Sequence, residues 1–482
     1  MYKDDNLHWI TFLVVGVWAL SYYQKRVVGR EARKWTSTIA GLVITVLVMR
    51  YQSWHHILMI ISTIILMRSV EKRNCHTITL AFLLTYQLVY RIIEPSTRFY
   101  ARADNIQHML TIAKLAGVAF DIHLTNRDKD KESEGEGKKA KPDAEEPIDP
   151  SFIDLFHFVF SFIGMIMGPH LRYRTWNDYL NLPFCNSCDS RALVIKRVFE
   201  TVLSLIGYQT ISYLYPIKYL ATAEFASSHF LFKNFFNFIH LVKYKMSVTC
   251  GLLMVQCIAS IVGLGAYPAH LRSEPGNGPT KNYTHLKNLT QEEADKLEYD
   301  FETINTQTLY KIYWTPWHSD FWRFWNTNIQ FFLGRYMHKE LFKNLSANNR
   351  ILATMLFSSY WHGLELGYYT SMVLCGVYMV AEKPYHKMYE YTSGWYSAGF
   401  LAVMWIIQAH VFSHLWMSFV LLEPETVLLH AAAMNYVPYV SLALFYLFGK
   451  LALPYVQSYY SRDMDTGCKS NGAEKKMYRF AN

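Results

Sequence analysis

Long apolar blocks, each near the length of a membrane-crossing helix, recur along this chain and are separated by short clusters of charge. A helix spanning the hydrocarbon core needs about 20 apolar residues. Blocks of that order run over 8–23, 35–49, 56–70, 76–93, 105–124, 151–169, 192–216, 226–243, 246–267, 351–382, 394–422 and 425–456. The block at 351–382 is long enough for one span or two. Because spanning segments must satisfy their own backbone groups, this pattern predicts an all-α, polytopic membrane protein of about eleven transmembrane helices. Several blocks are short or polar enough to be re-entrant or interfacial.

Three polar stretches interrupt the blocks. Residues 127–150, RDKDKESEGEGKKAKPDAEEPIDP, carry nine acids and six bases and no aromatic residue. Such a composition buries too little surface to fold, so a disordered loop between two membrane portions is expected there. The polar tail 461–482 is read the same way. Residues 272–308 contain NYT at Asn282 and NLT at Asn288, formal glycosylation acceptors that are usable only if this loop is lumenal. No internal repeat is evident, which argues against an inverted-repeat transporter. The whole of 1–482 therefore reads as a single multi-spanning domain.

Composition agrees: 51% of the 482 residues are hydrophobic and only 18% are charged, apolar-rich against soluble proteins. After the first block come Lys25, Arg26, Arg30, Arg33 and Lys34, which places that loop in the cytosol and the amino terminus across the membrane. The leader MYKDD mixes charges and no small-residue cleavage site follows, so the block reads as an anchor and not as a signal peptide. The net charge of +9 sits mostly beside apolar blocks, where it orients helices and meets anionic headgroups; no nucleic-acid motif accompanies it. Seven cysteines are scattered without a disulfide framework.

Ionisable residues inside an apolar block are costly and mark candidate sites. In SSYWHGLELGYY, Ser358, Ser359, His362, Glu365 and Tyr369 fall at spacings of three and four, one polar stripe if the segment is helical. A structural histidine bonded to a neighbouring helix is the competing reading. Upstream, FWRFWNTNIQFFLGRYMHKEL places Asn326 and Asn328 among aromatic residues and before Arg335, His338 and Lys339. An Asn amide is no base at neutral pH, but it can hold an oxyanion by hydrogen bonds.

FWNTNIQFFLGRY and SSYWHGLELGYY resemble the paired WN and WHG motifs of the membrane-bound O-acyltransferase family. MGPHLRYRTWNDY (167–179) and LEYDFETI (297–304) are similar to words of its lysophospholipid branch, and the combination is most similar to the lysophosphatidylinositol acyltransferases. The resemblance implies a fold around a buried catalytic chamber in the endoplasmic reticulum membrane. It implies a reaction in which acyl-CoA, as co-substrate, gives its acyl chain to a lysophospholipid hydroxyl. Arachidonoyl-CoA or another polyunsaturated acyl-CoA is the donor so implied; no bound cofactor and no metal are expected. His362 becomes the general base and Asn326 its oxyanion-side partner.

Glu365 departs from the pattern, since members more often carry histidine there. It either orients His362 or is a cavity acid facing water. Arg172 and Arg174 contact a lipid phosphate or brace a loop. Arg335 and Lys339, with Lys343 and Arg350, bind CoA phosphates or are flanking charge. O-acylation of a protein or sterol, and a non-enzymatic transporter or lipid-binding scaffold, are the alternative functions.

Other motifs fail. His123 and Asp128 have the HxxxxD spacing of another acyltransferase family, but a charged loop begins at once. GWYSAG (394–399) lacks the G-x-S-x-G spacing and the strand context of a nucleophile elbow. Cys185 and Cys188 form one C-x-x-C pair without the second pair that tetrahedral zinc requires.

Overall fold

The computed structural model describes residues 5–93, 99–133, 145–165 and 168–465. The first part comprises α1 (Asp5–Arg26), α2 (Arg30–Met49), α3 (Ser53–Ser69), α4 (Cys75–Ile93), α5 (Phe99–Ser133), α6 (Phe152–Phe160), α7 (Tyr173–Asn181), α8 (Phe184–Ser187) and α9 (Arg191–Leu214). Next come α10 (Ala223–Ser227), α11 (Phe230–Val262) and a polar section holding α12 (Gln291–Ala294) and four two-residue strands. There β1 (Tyr267–Pro268) pairs antiparallel with β4 (Tyr299–Asp300), and β2 (Ser273–Glu274) with β3 (Gly278–Pro279). The last part holds α13 (Leu309–Trp314), α14 (His318–Phe324), α15 (Thr327–Phe332), a π-helix (Leu333–Leu341), α16 (Ala347–His362) and α17 (Leu366–Ala381). It ends with α18 (Lys383–Tyr389), α19 (Gly394–Leu421), α20 (Pro424–Ala433) and α21 (Val437–Asp465).

The all-α expectation holds, and the helices divide the apolar blocks differently. Among the described residues five helical runs are long and apolar enough to cross a membrane: 30–69, 75–93, 230–262, 394–421 and 437–460. The blocks 226–243 and 246–267 are one continuous helix from Phe230, α11, because only Tyr244 and Lys245 separate them and no proline interrupts the run before Gly263 caps it at φ 83°. The block 151–169 is helical only to Phe160. The block 351–382 is two helices of 16 residues each.

The run 30–69 is itself folded back. Lys34 Nζ meets Asp154 at 2.8 Å and Arg68 Nη1 meets Asp149 at 2.7 Å. A straight helix would hold residues 34 and 68 about 51 Å apart, whereas five residues of chain reach about 18 Å. The reversal lies at Arg50–Gln52, a 3₁₀ turn beginning at Arg50 with φ 51°.

The charged stretch 127–150 also differs from expectation at both ends. Helix α5 continues to Ser133, and residues 145–150 are held by ion pairs of Glu145 with Arg172, Glu146 with Lys287, and Asp149 with Arg68 and Lys72. Residues 134–144, and the tail beyond Asp465, lie outside the described residues.

Two hydrophobic clusters form the interior. One gathers α2 to α7 with Phe332, Tyr336 and Trp361. The other gathers α11, α14, α17 and α19 with Trp325 and Met355. Helices in lipid gain little from apolar burial against each other, so close backbone approach matters. A Cβ on Gly41 would stand 1.8 Å from the Phe160 carbonyl oxygen, and one on Gly367 2.1 Å from that of Ser418.

Candidate active site

Asn326 and His362 both lie at the seam between these clusters. Trp325 belongs to the second and Ile329 and Phe332 to the first, so α15 bridges them. Likewise Trp361 packs in the first, while the His362 ring meets Phe419, which packs against the second. Trp325 and Trp361 are 6% and 2% exposed, yet Asn326 and His362 are only half-buried. Aromatic side chains thus wall the site while its two polar groups stay accessible.

His362 is the last residue of α16, and Gly363 ends that helix. A terminating helix leaves its last carbonyls without intrahelical partners. Here side chains from α4 and α5 supply them. Arg91 donates to the carbonyls of Tyr360, Trp361 (2.7 Å) and His362 (3.0 Å), Asn105 donates to that of His362 at 2.8 Å, and Gln87 to that of Trp361 at 3.2 Å. Arg91 is itself tied to Asn105 at 2.8 Å, and the Trp361 indole donates to the Met109 carbonyl at 3.1 Å.

The backbone of His362 is therefore fixed, and its ring is positioned by stacking alone. It lies parallel to Tyr368, centroids 5.6 Å apart, and edge-on to Phe419 at 5.2 Å. Both ring nitrogens lack a hydrogen bond to the described residues, which leaves the imidazole free to exchange a proton with a bound molecule.

The polar stripe read from the sequence is not one helical face. Helix α16 stops at His362, and Glu365 is the N-cap position of α17. The two side chains lie on different helices, because Gly363 is extended (φ 176°) and breaks the run. Glu365 is half-buried and makes no hydrogen bond to His362.

Asn326 starts α15 in the left-handed conformation, φ 45° and ψ 54°, while its carbonyl accepts from Ile329 N and Gln330 N. Its side chain forms no hydrogen bond with the described residues and none with His362. Asn328 behaves differently. It is fully buried and its amide donates to the carbonyls of His170 (3.3 Å) and Thr303 (3.0 Å). It therefore ties the GPHLRYRT, YDFETI and WNTNIQ words together. Rings continue the link: His170 to Phe332 at 5.2 Å, Phe332 to Trp361 at 6.0 Å, and Trp361 to His362 at 5.7 Å. Gly276, at φ +74°, lets the β2–β3 turn press on Asn328 and Phe331, where a Cβ would meet Phe331 at 2.7 Å.

Of the predicted phosphate-binding arginines, Arg172, Arg174 and Arg335 converge. Arg172 is clamped between Asp121 and Glu145, and Arg174 and Arg335 reach the same Glu145. Lys339 does not join them and is exposed. The cation missed by sequence reading is Arg91, half-buried and one of many basic residues that end apolar blocks. Cys185 and Cys188 engage cations: Arg33 donates to the Cys185 thiol at 2.9 Å and Lys25 lies 3.7 Å from that of Cys188. Among the described residues no three His, Cys, Asp or Glu side chains group as metal ligands would.

A helical membrane protein with an accessible imidazole and amide at an aromatic seam has the construction of a membrane-embedded enzyme. Residues 9–421 match the model of the MBOAT, membrane-bound O-acyltransferase family. The chain belongs to this family and is an acyltransferase. It is similar to the membrane-bound acylglycerophosphatidylinositol O-acyltransferases of Drosophila melanogaster (27% identity, 91% of each chain), Xenopus laevis (27%, 80% of this chain and 81% of the relative) and Homo sapiens (26%, 82% and 83%).

Proposed function

We propose that this protein transfers a fatty acyl chain from acyl-CoA to the free hydroxyl of lysophosphatidylinositol in the endoplasmic reticulum membrane. The acceptor follows the activity for which the relatives are named. The observation that carries the catalytic assignment is the geometry of His362: its backbone is locked by Arg91 and Asn105 while its ring is unbonded and accessible.

In the reaction the neutral imidazole accepts the proton of the lysolipid hydroxyl as that oxygen attacks the thioester carbonyl carbon. The Asn326 amide donates to the oxyanion that develops. The C–S bond then breaks, and the departing thiolate takes the proton back from His362, leaving the ester and CoA. An aromatic, water-poor seam favours this sequence, because it strengthens the amide–oxyanion interaction and keeps water from the thioester.

The test offers detergent-purified protein an equal mixture of lysophospholipids with different headgroups, together with saturated and polyunsaturated acyl-CoAs. Wild type is expected to make phosphatidylinositol preferentially. His362→Ala should lose about 10²- to 10⁴-fold in rate, the range for a general base, while eluting as the wild type does. Full activity in that variant removes the mechanism. Equal use of all headgroups removes the inositol acceptor, and no transfer to any lysolipid turns attention to protein or sterol acceptors or to transport.

A further inference from the structure

Three guanidinium groups meet on one carboxylate. Arg172 holds Glu145 through both terminal nitrogens, at 2.9 and 2.5 Å. Arg335 Nη2 reaches the same carboxylate at 3.2 Å and Arg174 Nη1 at 3.6 Å. On its other side Arg172 donates to both oxygens of Asp121 at 3.0 and 2.9 Å, and Asp121 also accepts from the Tyr336 hydroxyl at 2.8 Å. Three cations facing two anions leave a formal surplus of one positive charge.

Hydrogen-bond donors are in surplus as well. The Nε groups of Arg174 and Arg335 are buried without an acceptor, although buried polar groups are ordinarily paired. The Arg335 Nε stands 4.0 Å from Asp121, beyond hydrogen-bond reach. A carboxylate offers two acceptor oxygens, whereas a terminal phosphate offers three and suits the planar arginine fork. Of the cluster, Glu145 and Arg174 also line a cavity of about 620 Å³, whose wall carries further cations (Arg30, Lys287) and carboxylates (Asp178, Glu274).

The arginines and the acid come from different parts of the scaffold. Arg172 and Arg174 stand at the start of α7 and Arg335 in the π-helix, all packed in the first cluster. Glu145 comes from the charged stretch 127–150, outside any helix. Burial alone would raise its carboxyl, but the hydrogen bonds and charge of Arg172, with the charges of Arg174 and Arg335, hold it well below the usual carboxylate range. It is therefore an anion throughout the working pH range.

We propose that Arg172, Arg174 and Arg335 form the seat of a substrate phosphate, and that Glu145 is a built-in competitor for that seat. The proposal rests on the lysophosphatidylinositol and acyl-CoA reading, since both substrates carry phosphate: CoA brings a terminal one with three free oxygens, and the lysolipid a diester with two. Glu145 then lowers apparent affinity for that substrate and discriminates against ligands too weakly charged to displace it. A competitor that holds the seat about nine-tenths of the time weakens apparent binding about tenfold.

The experiment compares wild type, Glu145→Gln and Arg174→Gln as full chains in detergent. Initial rates are measured with each substrate varied in turn, alongside equilibrium binding of free CoA and of glycerophosphoinositol. Glu145→Gln is expected to lower one KM by about three- to tenfold, with kcat little changed, and to tighten the matching probe. The KM that falls names the source of the phosphate, CoA or lipid headgroup. Arg174→Gln should raise that same KM. Unchanged or weaker binding of both probes in Glu145→Gln makes Glu145 a structural brace and overturns the proposal. If Glu145→Gln does not elute as wild type, Arg174→Gln decides: a raised KM supports the seat and unchanged KM values sink it. Tighter probe binding in a protein that transfers no acyl group keeps the seat and retires the enzymatic reading alone.

Discussion

Asn326 combines a left-handed backbone with an unbonded amide. Asn tolerates that conformation better than most residues because its short side chain bonds locally, whereas Ala there incurs about 1–2 kcal/mol of strain. The two roles separate by substitution. Asn326→Gly keeps the backbone and removes the amide; it is expected to retain thermal stability and lose about 10²- to 10³-fold in kcat, as removal of an oxyanion donor does. Asn326→Ala should lose the same activity and also unfold at lower temperature. A fully active glycine variant would restrict Asn326 to a backbone role. At this scale His362 and Asn326 were legible as polar residues in aromatic surroundings, and Arg172, Arg174 and Arg335 as cations within the family motifs. Their shared partner was not legible: Glu145 lies in a stretch whose composition suggested only a loop.

Where a helix ends decides what its last residues can do. Helix α16 stops at His362, and its exposed carbonyls face the interior, where water does not serve them. Arg91 from α4 serves three of them. Without Arg91 the Tyr360 carbonyl loses its side-chain donor, at about 1–3 kcal/mol, while Gln87 and Asn105 still serve those of Trp361 and His362. Arg91→Met, which keeps the aliphatic length, is expected to lower the melting temperature in detergent. It should also reduce kcat with little change in either KM, because it loosens His362 and not a substrate contact. A variant that melts lower but keeps its kcat would confine Arg91 to stability. The spacing of Glu365 from His362 implied one helical face, and that inference failed at Gly363, whose extended backbone starts a new helix.

Across the whole molecule, hydrogen bonds and a shared cavity bring the amino-terminal basic loop to the polar section 272–308. Arg33 reaches Asn186, which bonds Gln291 at 3.4 Å, and Arg30 lines the same cavity as Asn282 and Lys287. The charge rule predicts a cytosolic loop at Lys25 to Lys34, and on that prediction Asn282 and Asn288 share that side. Glycosylation requires the lumen, and the expected result is that peptide N-glycosidase leaves the electrophoretic mobility of protein from a secretory-competent cell unchanged. A shift lost in Asn282→Gln or Asn288→Gln would invert the orientation.

The sequence by itself determined the class of the molecule: an all-helical membrane protein whose family words stand in order, with His362 and Asn326 as its candidate pair. Block length, loop charge and short words are local properties, so they are readable in one dimension. Only the tertiary structure decided that 30–69 folds back at Arg50–Gln52, that α11 is one helix and not two, and that Glu365 stands apart from His362. It alone joined Arg91 to Trp361, 270 positions away, and Glu145 to Arg335, 190 positions away. These depend on which distant partner satisfies a buried charge or a terminal carbonyl, and no local pattern encodes that choice.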